Sequence, residues 1–155
     1  MDALPDKLRG QVERIVYHSA EENLAAVRAL LQRWPFDRDR VRPAVAPTIP
    51  LHCADDFMVA AADLAREYAV GYHTHVAESK VQAVIGLRKY GRTLTAHLDS
   101  LGILGSNFVA AHAVWMDDDD IKRMADHARR WRIIRAVTCG SARASPQCAR
   151  CAPPI

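Results

Sequence analysis

The amino-acid sequence predicts an α/β fold in which parallel strands alternate with helices. Three short runs rich in β-branched or alternating apolar residues lie between residues 41 and 115. Each run is followed by a longer segment whose apolar residues recur at helical spacing, and capping residues stand at several of the boundaries. The chain has 155 residues, half of them hydrophobic and a quarter charged. This composition suits one compact domain or part of a larger one, with strands buried on both faces.

The first helix and the first strand are predicted by capping and proline signals. Ser19 and Glu22 have the spacing of a capping box, and the helix that they open, ENLAAVRALLQRW, is expected to stop at Pro35. The next apolar run, VRPAVAPTIPL, contains Pro43 and Pro47. Because proline cannot donate to a strand ladder, we expect this strand to be short or irregular.

The remaining elements follow in a strand–helix order. Gly91 and Gly102 are placed to end two of the helices, and Thr93 to cap the one between them. The predicted elements, in chain order, are the helix DDFMVAAADLAREYA, the strand VGYHTHV, the helices SKVQAVIGLRKYG and TLTAHLDSLG, the strand NFVAAHAVW and the helix DDDDIKRMADHA.

The acidic run Asp117–Asp120 begins the last of these helices. Acids in a first helical turn complement the positive end of the helix dipole, and that is the reading we favour. A cation-binding cluster is the alternative interpretation.

A histidine lies near the predicted end of each strand. His52 follows the first strand, His73 and His75 lie on the second, and His112 lies on the third. In a parallel sheet the carboxyl ends of the strands share one edge, where functional side chains collect. Neutral imidazoles suit Zn²⁺ or Fe²⁺, and Glu78, three residues after His75, is spaced to accept a proton from activated water. A lone histidine at a strand end is also a common structural residue.

The stretches HTHVAES, YGRTLTAHLDSLGIL and AAHAVW resemble the amidohydrolase superfamily, in its cytosine deaminase-like and chlorohydrolase-like branch of metal-dependent aminohydrolases. The resemblance covers about residues 10–128. It implies a partial (β/α)₈ TIM barrel, comprising about strands four to six with their helices. A complete barrel takes about 250 residues.

The resemblance also implies roles for four residues. His75 is expected to be a metal ligand and Glu78 the proton shuttle. His112 is expected to contact the metal or its hydroxide, and His52 to face the substrate. No role is assigned to His73, which we expect to support the site from beneath. An alternative places HTH as the metal-binding pair of the family's first strand, but the acid of Glu78 and the later AHAVW argue against it.

The segment 129–155 differs in composition from residues 1–128. Residues 1–128 hold 15 Lys and Arg and all 18 Asp and Glu, whereas residues 129–155 hold six arginines and no acid. We therefore predict a partial metal-dependent hydrolase barrel in 1–128 and an aberrant basic tail with three cysteines in 129–155, disordered or out of frame.

The out-of-frame interpretation of the tail is based on codons that are compatible with its amino-acid sequence. Codons compatible with Arg130–Ser141, read two bases later, encode V-A-H-H-P-C-S-N, which resembles the family's next strand. We expect a frameshift near Ala128. The alternative reading of the tail is functional, with Cys148 and Cys151 as half of a zinc site and the arginines as phosphate contacts.

The expected function is hydrolytic. We expect a fragment of a hydrolase of non-peptide carbon–nitrogen bonds that deaminates or dehalogenates an aminated heterocycle through a metal-activated hydroxide. The cofactor is one divalent metal, Zn²⁺ or else Fe²⁺, with binding impaired because the family's first-strand HxH pair and eighth-strand aspartate are missing. The alternative is a non-catalytic remnant or interaction module.

The expected partner is a small heterocyclic substrate. We expect neither nucleic acid nor a membrane as a partner, and the sequence leaves open whether the chain forms a homo-oligomer. No apolar run reaches the roughly 18 residues of a membrane span, and the N-terminus lacks the apolar core of a secretory signal. A cytoplasmic location is expected.

Overall fold

A computed structural model describes residues 19–127 of the chain. The chain forms two compact units that divide between Trp34 and Pro35. The tail 129–155, with the predictions made for it, lies outside the described residues.

The first unit contains helix α1, Ala20–Gln32. The predicted capping box is confirmed, because the Ser19 hydroxyl accepts from the backbone N–H of Glu22 and the Glu22 carboxylate accepts from the backbone N–H of Ser19. The helix ends at Gln32, two residues before the predicted end, where Arg33 leaves the helical backbone conformation.

The second unit is built on three parallel strands in the order β1-β2-β3. The first strand contains only two residues, as expected for a run interrupted by prolines. The elements are β1 (Ala44–Val45), α2 (Asp55–Glu67), β2 (Gly71–Val76), α3 (Lys80–Tyr90), α4 (Leu94–Ser100), β3 (Phe108–His112) and α5 (Asp118–His127).

The two faces of β2 have different environments. Tyr72, Thr74 and Val76 are buried, and the Tyr72 ring stacks on Phe108 of β3 at 5.9 Å between centroids. Helix α2 contacts both β1 and β2. Because side chains alternate along a strand, His73 and His75 lie together on the opposite face. The alternation therefore puts the imidazoles of β2 on the face away from this core.

The predicted capping residues end helix α3 and begin helix α4. Gly91 has φ of 66° at the end of α3, and the Thr93 hydroxyl accepts from the backbone N–H of Ala96 at the start of α4. Gly86 lies where the two helices meet, since a Cβ atom there would come within 2.8 Å of the Leu94 side chain. The small residue therefore permits this close packing.

The acidic run begins α5, as predicted, but its last member has a further role. Asp118 and Asp119 are exposed, whereas Asp120 is only 3% exposed and accepts a hydrogen bond from the Thr93 hydroxyl. Burial raises the pKa of Asp120. The run thus complements the helix dipole and also ties α5 to α4.

Strand β3 ends at His112, three residues earlier than the sequence predicts. His112 and Ala113 both adopt a positive φ, with which the strand does not continue, and the Ala113 N–H donates instead to the Val76 carbonyl of β2. Among the described residues, no helix is both long and apolar enough to cross a membrane.

Candidate metal and catalytic site

The carboxyl ends of β2 and β3 bring two predicted metal ligands together. The parallel register aligns Val76 with His112 and His75 with Ala111. The rings of His75 and His112 lie 5.2 Å apart between centroids, at an interplanar angle of 26°. The structure therefore places these two imidazoles side by side at the common edge of the two strands.

A backbone carbonyl fixes the orientation of the His75 ring. The His75 Nδ1 atom lies 2.8 Å from the carbonyl oxygen of Thr48, which also accepts from the His75 backbone N–H at 3.0 Å. A carbonyl oxygen only accepts, so Nδ1 carries a proton, and in the neutral ring Nε2 is then the nitrogen with a free lone pair. This is the usual arrangement of a metal-binding histidine, whose second nitrogen is held by an oxygen atom.

Glu78 lies beside His112. Its Oε1 atom is 3.7 Å from His112 Nε2, and the side chains are 41% and 9% exposed, respectively. Gln82 holds the glutamate from one helical turn further along, because its Oε1 accepts from the Glu78 backbone N–H at 3.0 Å and its Nε2 donates to Glu78 Oε2 at 3.4 Å. One carboxylate oxygen is thereby held by the amide while the other faces the imidazole.

Backbone strain is concentrated at this edge. Four described non-glycine residues have positive φ, and three of them, Ala77, His112 and Ala113, border the site. Backbone hydrogen bonds hold them, since the Ala113 N–H donates to the Val76 carbonyl and the Trp115 N–H to the Ala77 carbonyl. Such conformations cost free energy and cluster at functional sites, where they direct side chains.

His73 lies beside His75 on the same face of β2, and its predicted supporting role stays a prediction. Its ring lies 6.2 Å from that of His75, and its Nε2 atom is buried without a hydrogen-bond partner in the described part of the chain. Burial lowers the pKa of His73, and the neighbouring His75 and His112 lower it further. The ring is therefore neutral near pH 7.

His52 lies on the loop between β1 and α2, where its side chain is exposed. Its backbone N–H donates to the Ile49 carbonyl and closes a turn. Within residues 19–127, no recorded hydrogen bond, ion pair or ring contact links its side chain to His75, Glu78 or His112. Its predicted contact with substrate stays a prediction.

The donors at the edge fit part of a zinc shell. Neutral imidazole nitrogen is a preferred ligand of zinc, and His75 is held with Nε2 free. Within residues 19–127, however, no group of three or more His, Cys, Asp or Glu side chains has the geometry to hold a metal ion. Zinc takes four ligands, so the others must be water or groups outside the described residues.

Two contributors were missed by the sequence reasoning. Gln82 had a signal, since Ser79 and Gln82 have the spacing of a capping box, which places the Gln82 side chain at the start of the helix next to Glu78. Thr48 had none, because its contribution is a backbone carbonyl that any residue could provide.

Comparison with known proteins identifies relatives over most of the chain. The sequence profile described as "Amidohydrolase family" matches residues 1–153. A 5-methylthioadenosine/S-adenosylhomocysteine deaminase from Caldanaerobacter subterraneus subsp. tengcongensis is 35% identical over 115 residues, which are 74% of this chain and 27% of that protein. A 5'-deoxyadenosine deaminase from Methanothrix thermoacetophila is 28% identical over 77% of this chain and 29% of its own length.

Several solved structures are similar to the chain in fold. The chain superimposes on Escherichia coli guanine deaminase with a TM-score of 0.70 at 22% identity, covering 86% of this chain and 32% of that one. A zinc-bound adenosine deaminase from Xanthomonas campestris gives a TM-score of 0.67 at 23% identity, covering 73% of this chain and 25% of the other. The chain thus spans about a quarter to a third of the length of the proteins it matches.

These likenesses confirm the predicted fold and family. The three parallel strands with their helices correspond to part of the barrel of the solved structures, so the prediction of a partial (β/α)₈ barrel is confirmed. The relatives are deaminases, which are hydrolases, and several related structures contain zinc. The chain belongs to the amidohydrolase family.

Proposed function

We propose that residues 19–127 contribute the carboxyl-edge site of a metal-dependent hydrolase that removes the amino group of an aminated heterocycle. The observation that carries this proposal is the grouping of His75, Glu78 and His112 at the ends of two neighbouring strands, with His75 Nδ1 tied to a carbonyl. The deaminase relatives support the reaction class. Residues 1–128 are proposed to form the barrel part, and 129–155 to lie outside it.

The proposed reaction adds water across a carbon–nitrogen bond. Water attacks the ring carbon that bears the amino group, the carbon–nitrogen bond breaks, and the products are an oxo-heterocycle and ammonia. A divalent metal, with zinc favoured by the related structures, supplies the Lewis acidity that makes water a stronger acid near pH 7.

The residues of the chain then have separate roles. His75 and His112 would hold the metal through their nitrogens. Glu78 would accept the proton from water and pass it to the departing amine, because its free carboxylate oxygen faces this edge. Gln82 keeps that carboxylate in place. His52 is proposed to face the substrate from the loop after β1.

The substrate class follows from the relatives. Those most similar in sequence are deaminases of adenosine derivatives, and the related structures include a guanine deaminase and an atrazine chlorohydrolase. We propose an aminated purine derivative ahead of a chlorinated triazine, because the two deaminases of adenosine derivatives are 35% and 28% identical to the chain and the chlorohydrolase is 25% identical.

A non-catalytic interaction module is the second candidate. The observation that favours it is the lack, within the described residues, of any cluster of three metal-binding side chains. A chain of this kind would bind neither metal nor substrate at the strand edge.

Ammonia release tests the proposal. The full chain would be incubated with zinc and with 5'-methylthioadenosine, 5'-deoxyadenosine or guanine, alongside Glu78→Gln and the matched control Glu67→Gln. Because the edge supplies only part of a zinc shell, we expect slow zinc-dependent release. That release should fall by about 10²–10⁴-fold in Glu78→Gln, the usual contribution of a general acid–base group, and stay unchanged in the control. No release from the wild-type chain, or equal release from Glu78→Gln, contradicts the proposal and favours the interaction module.

A further inference from the structure

We infer that Tyr90 and His97 are positioning residues for the proposed metal site. They hold the loop between β1 and α2, residues 46–54, so that its Thr48 carbonyl meets the His75 ring. The inference rests on the proposed function for its biological meaning, but its contacts are independent of any metal.

The two aromatic side chains form one unit between α3 and α4. Their rings stack with centroids 3.6 Å apart and an interplanar angle of 13°. His97 is only 8% exposed, and its Nε2 atom lies 2.9 Å from Asp55 Oδ1 at the first residue of α2. Packing alone would be served by an apolar side chain, so the buried imidazole has a polar role here.

This unit holds the loop at two points. At its carboxyl end the loop joins Asp55, which His97 contacts. Near its middle, the Tyr90 hydroxyl donates to the carbonyl of Pro50 at 3.1 Å, and Pro50 is itself fully buried. Contacts at the middle and at the carboxyl end of this short loop fix its position against the helices.

The loop itself is compact, so a restraint at Pro50 is transmitted to Thr48. The His52 N–H donates to the Ile49 carbonyl at 3.0 Å, and the Thr48 hydroxyl lies 3.8 Å from the Cys53 sulfur. These bonds close the turn from residue 48 to residue 53. A displacement of Pro50 therefore moves both Thr48 and His52.

The position of the Thr48 carbonyl affects the His75 ring. The Thr48 carbonyl accepts from His75 Nδ1, from the His75 backbone N–H and from the Thr74 hydroxyl. The Nδ1 contact selects the tautomer that leaves Nε2 free for a metal. Tyr90 and His97 thus support, through one loop and together with the bonds from β2, the carbonyl that selects which nitrogen of His75 is available.

The tautomer of His75 is the direct test. Nitrogen-15 resonances of the histidine rings, recorded on the metal-free full chain, report which ring nitrogen carries the proton. We expect Nδ1–H in the wild type, and a lower share of that tautomer in Tyr90→Phe, which deletes a hydroxyl but keeps the ring; complete loss of the Thr48–Nδ1 bond, about tenfold in the tautomer ratio, is the upper limit. Tenfold equals about 1.4 kcal/mol, the size of one net hydrogen bond.

Tyr72→Phe is the matched control. Tyr72 lies on β2, closer in sequence to His75, but its hydroxyl faces Met58 and not the loop. We expect it to leave the tautomer ratio unchanged. His97→Ala should reduce the ratio, with partial recovery in His97→Gln, which restores a donor near Asp55.

The outcomes separate this inference from the proposed function. An unchanged His75 tautomer in Tyr90→Phe and His97→Ala, or an equal change in Tyr72→Phe, overturns the positioning role whatever the activity of the chain. A selective change in a chain that releases no ammonia supports the positioning role and contradicts the deaminase proposal.

Discussion

The carboxyl edge of β2 and β3 differs from the helical layer formed by α3, α4 and α5. In the helical layer, Asp99 pairs with Arg123 at 2.6 Å and with His127 at 2.7 Å, and each predicted cap is made. At the strand edge the His112–Glu78 separation is 3.7 Å, and the backbone is strained. In the described residues both regions leave buried polar atoms without a hydrogen-bond partner, Thr95 Oγ1 and Arg123 Nε in the helical layer and His73 Nε2 beside the edge. The edge differs in its strained backbone, which stability alone does not explain.

Asp120→Ala is expected to have the largest effect on stability. The substitution leaves the part-buried Thr93 hydroxyl and the Asp117 backbone N–H without their acceptor, which costs about 2–3 kcal/mol. Urea unfolding measures the difference, with the exposed Asp118→Ala as the control that should change little. Equal effects of the two substitutions would contradict the buried tie between α4 and α5.

The same carboxyl group gives a pH dependence. Burial raises the folded-state pKa of Asp120 above its unfolded value, so the folded state keeps the proton to higher pH. Stability relative to Asp120→Asn should therefore fall as pH rises from the unfolded pKa, about 3.9, through the raised folded one. Urea unfolding of both chains across this range measures it, and a constant difference would contradict it.

Gly86→Ala is expected to have an intermediate effect. The added Cβ would lie 2.8 Å from Leu94, a buried residue, and overpacking of this kind costs about 1–2 kcal/mol. Thermal unfolding measures the loss, and the double variant with Leu94→Ala provides the control, since it should show no additional cost from the new methyl group. Independent, additive losses in the double variant would argue against this contact.

Glu78→Gln is expected to have the smallest effect on stability. The side chain is 41% exposed and its separation from His112 is too long for a hydrogen bond, so the change should stay within about 0.5 kcal/mol. Chemical unfolding checks this value beside the activity measurements. A loss as large as that of Asp120→Ala would show that the edge serves stability, and the comparison of the two regions would fail.

Sequence patterns predicted the elements well because their signals are local. The capping box at Ser19, the left-handed Gly91 and the cap at Thr93 are each specified by a few neighbouring residues. The early end of β3 at His112 was not predictable in this way. Its positive φ is held by Ala113 hydrogen bonding to the neighbouring strand, which is a tertiary contact.

The candidate site was predictable only in part for the same reason. Strand periodicity and the family resemblance named His75, Glu78 and His112, and the structure groups them. The carbonyl of Thr48 and the support of Tyr90 and His97 depend on contacts across 27 residues and more, for which single-sequence patterns carry no signal.

The origin of the segment 129–155 is a separate proposal. We propose a change of reading frame near Ala128, and the nucleotide sequence tests it. Codons that encode V-A-H-H-P-C-S-N in the alternative frame support the proposal, and codons that encode no such strand remove it.

Zinc titration of the full chain, followed by the nitrogen-15 resonances of its seven histidines, tests the central claim most directly. The account predicts that zinc shifts the ring nitrogens of His75 and His112 and leaves those of His127 unchanged. It also predicts that His75→Ala abolishes the shift at His112. Zinc that leaves both resonances in place, while binding elsewhere on the chain, would contradict the account.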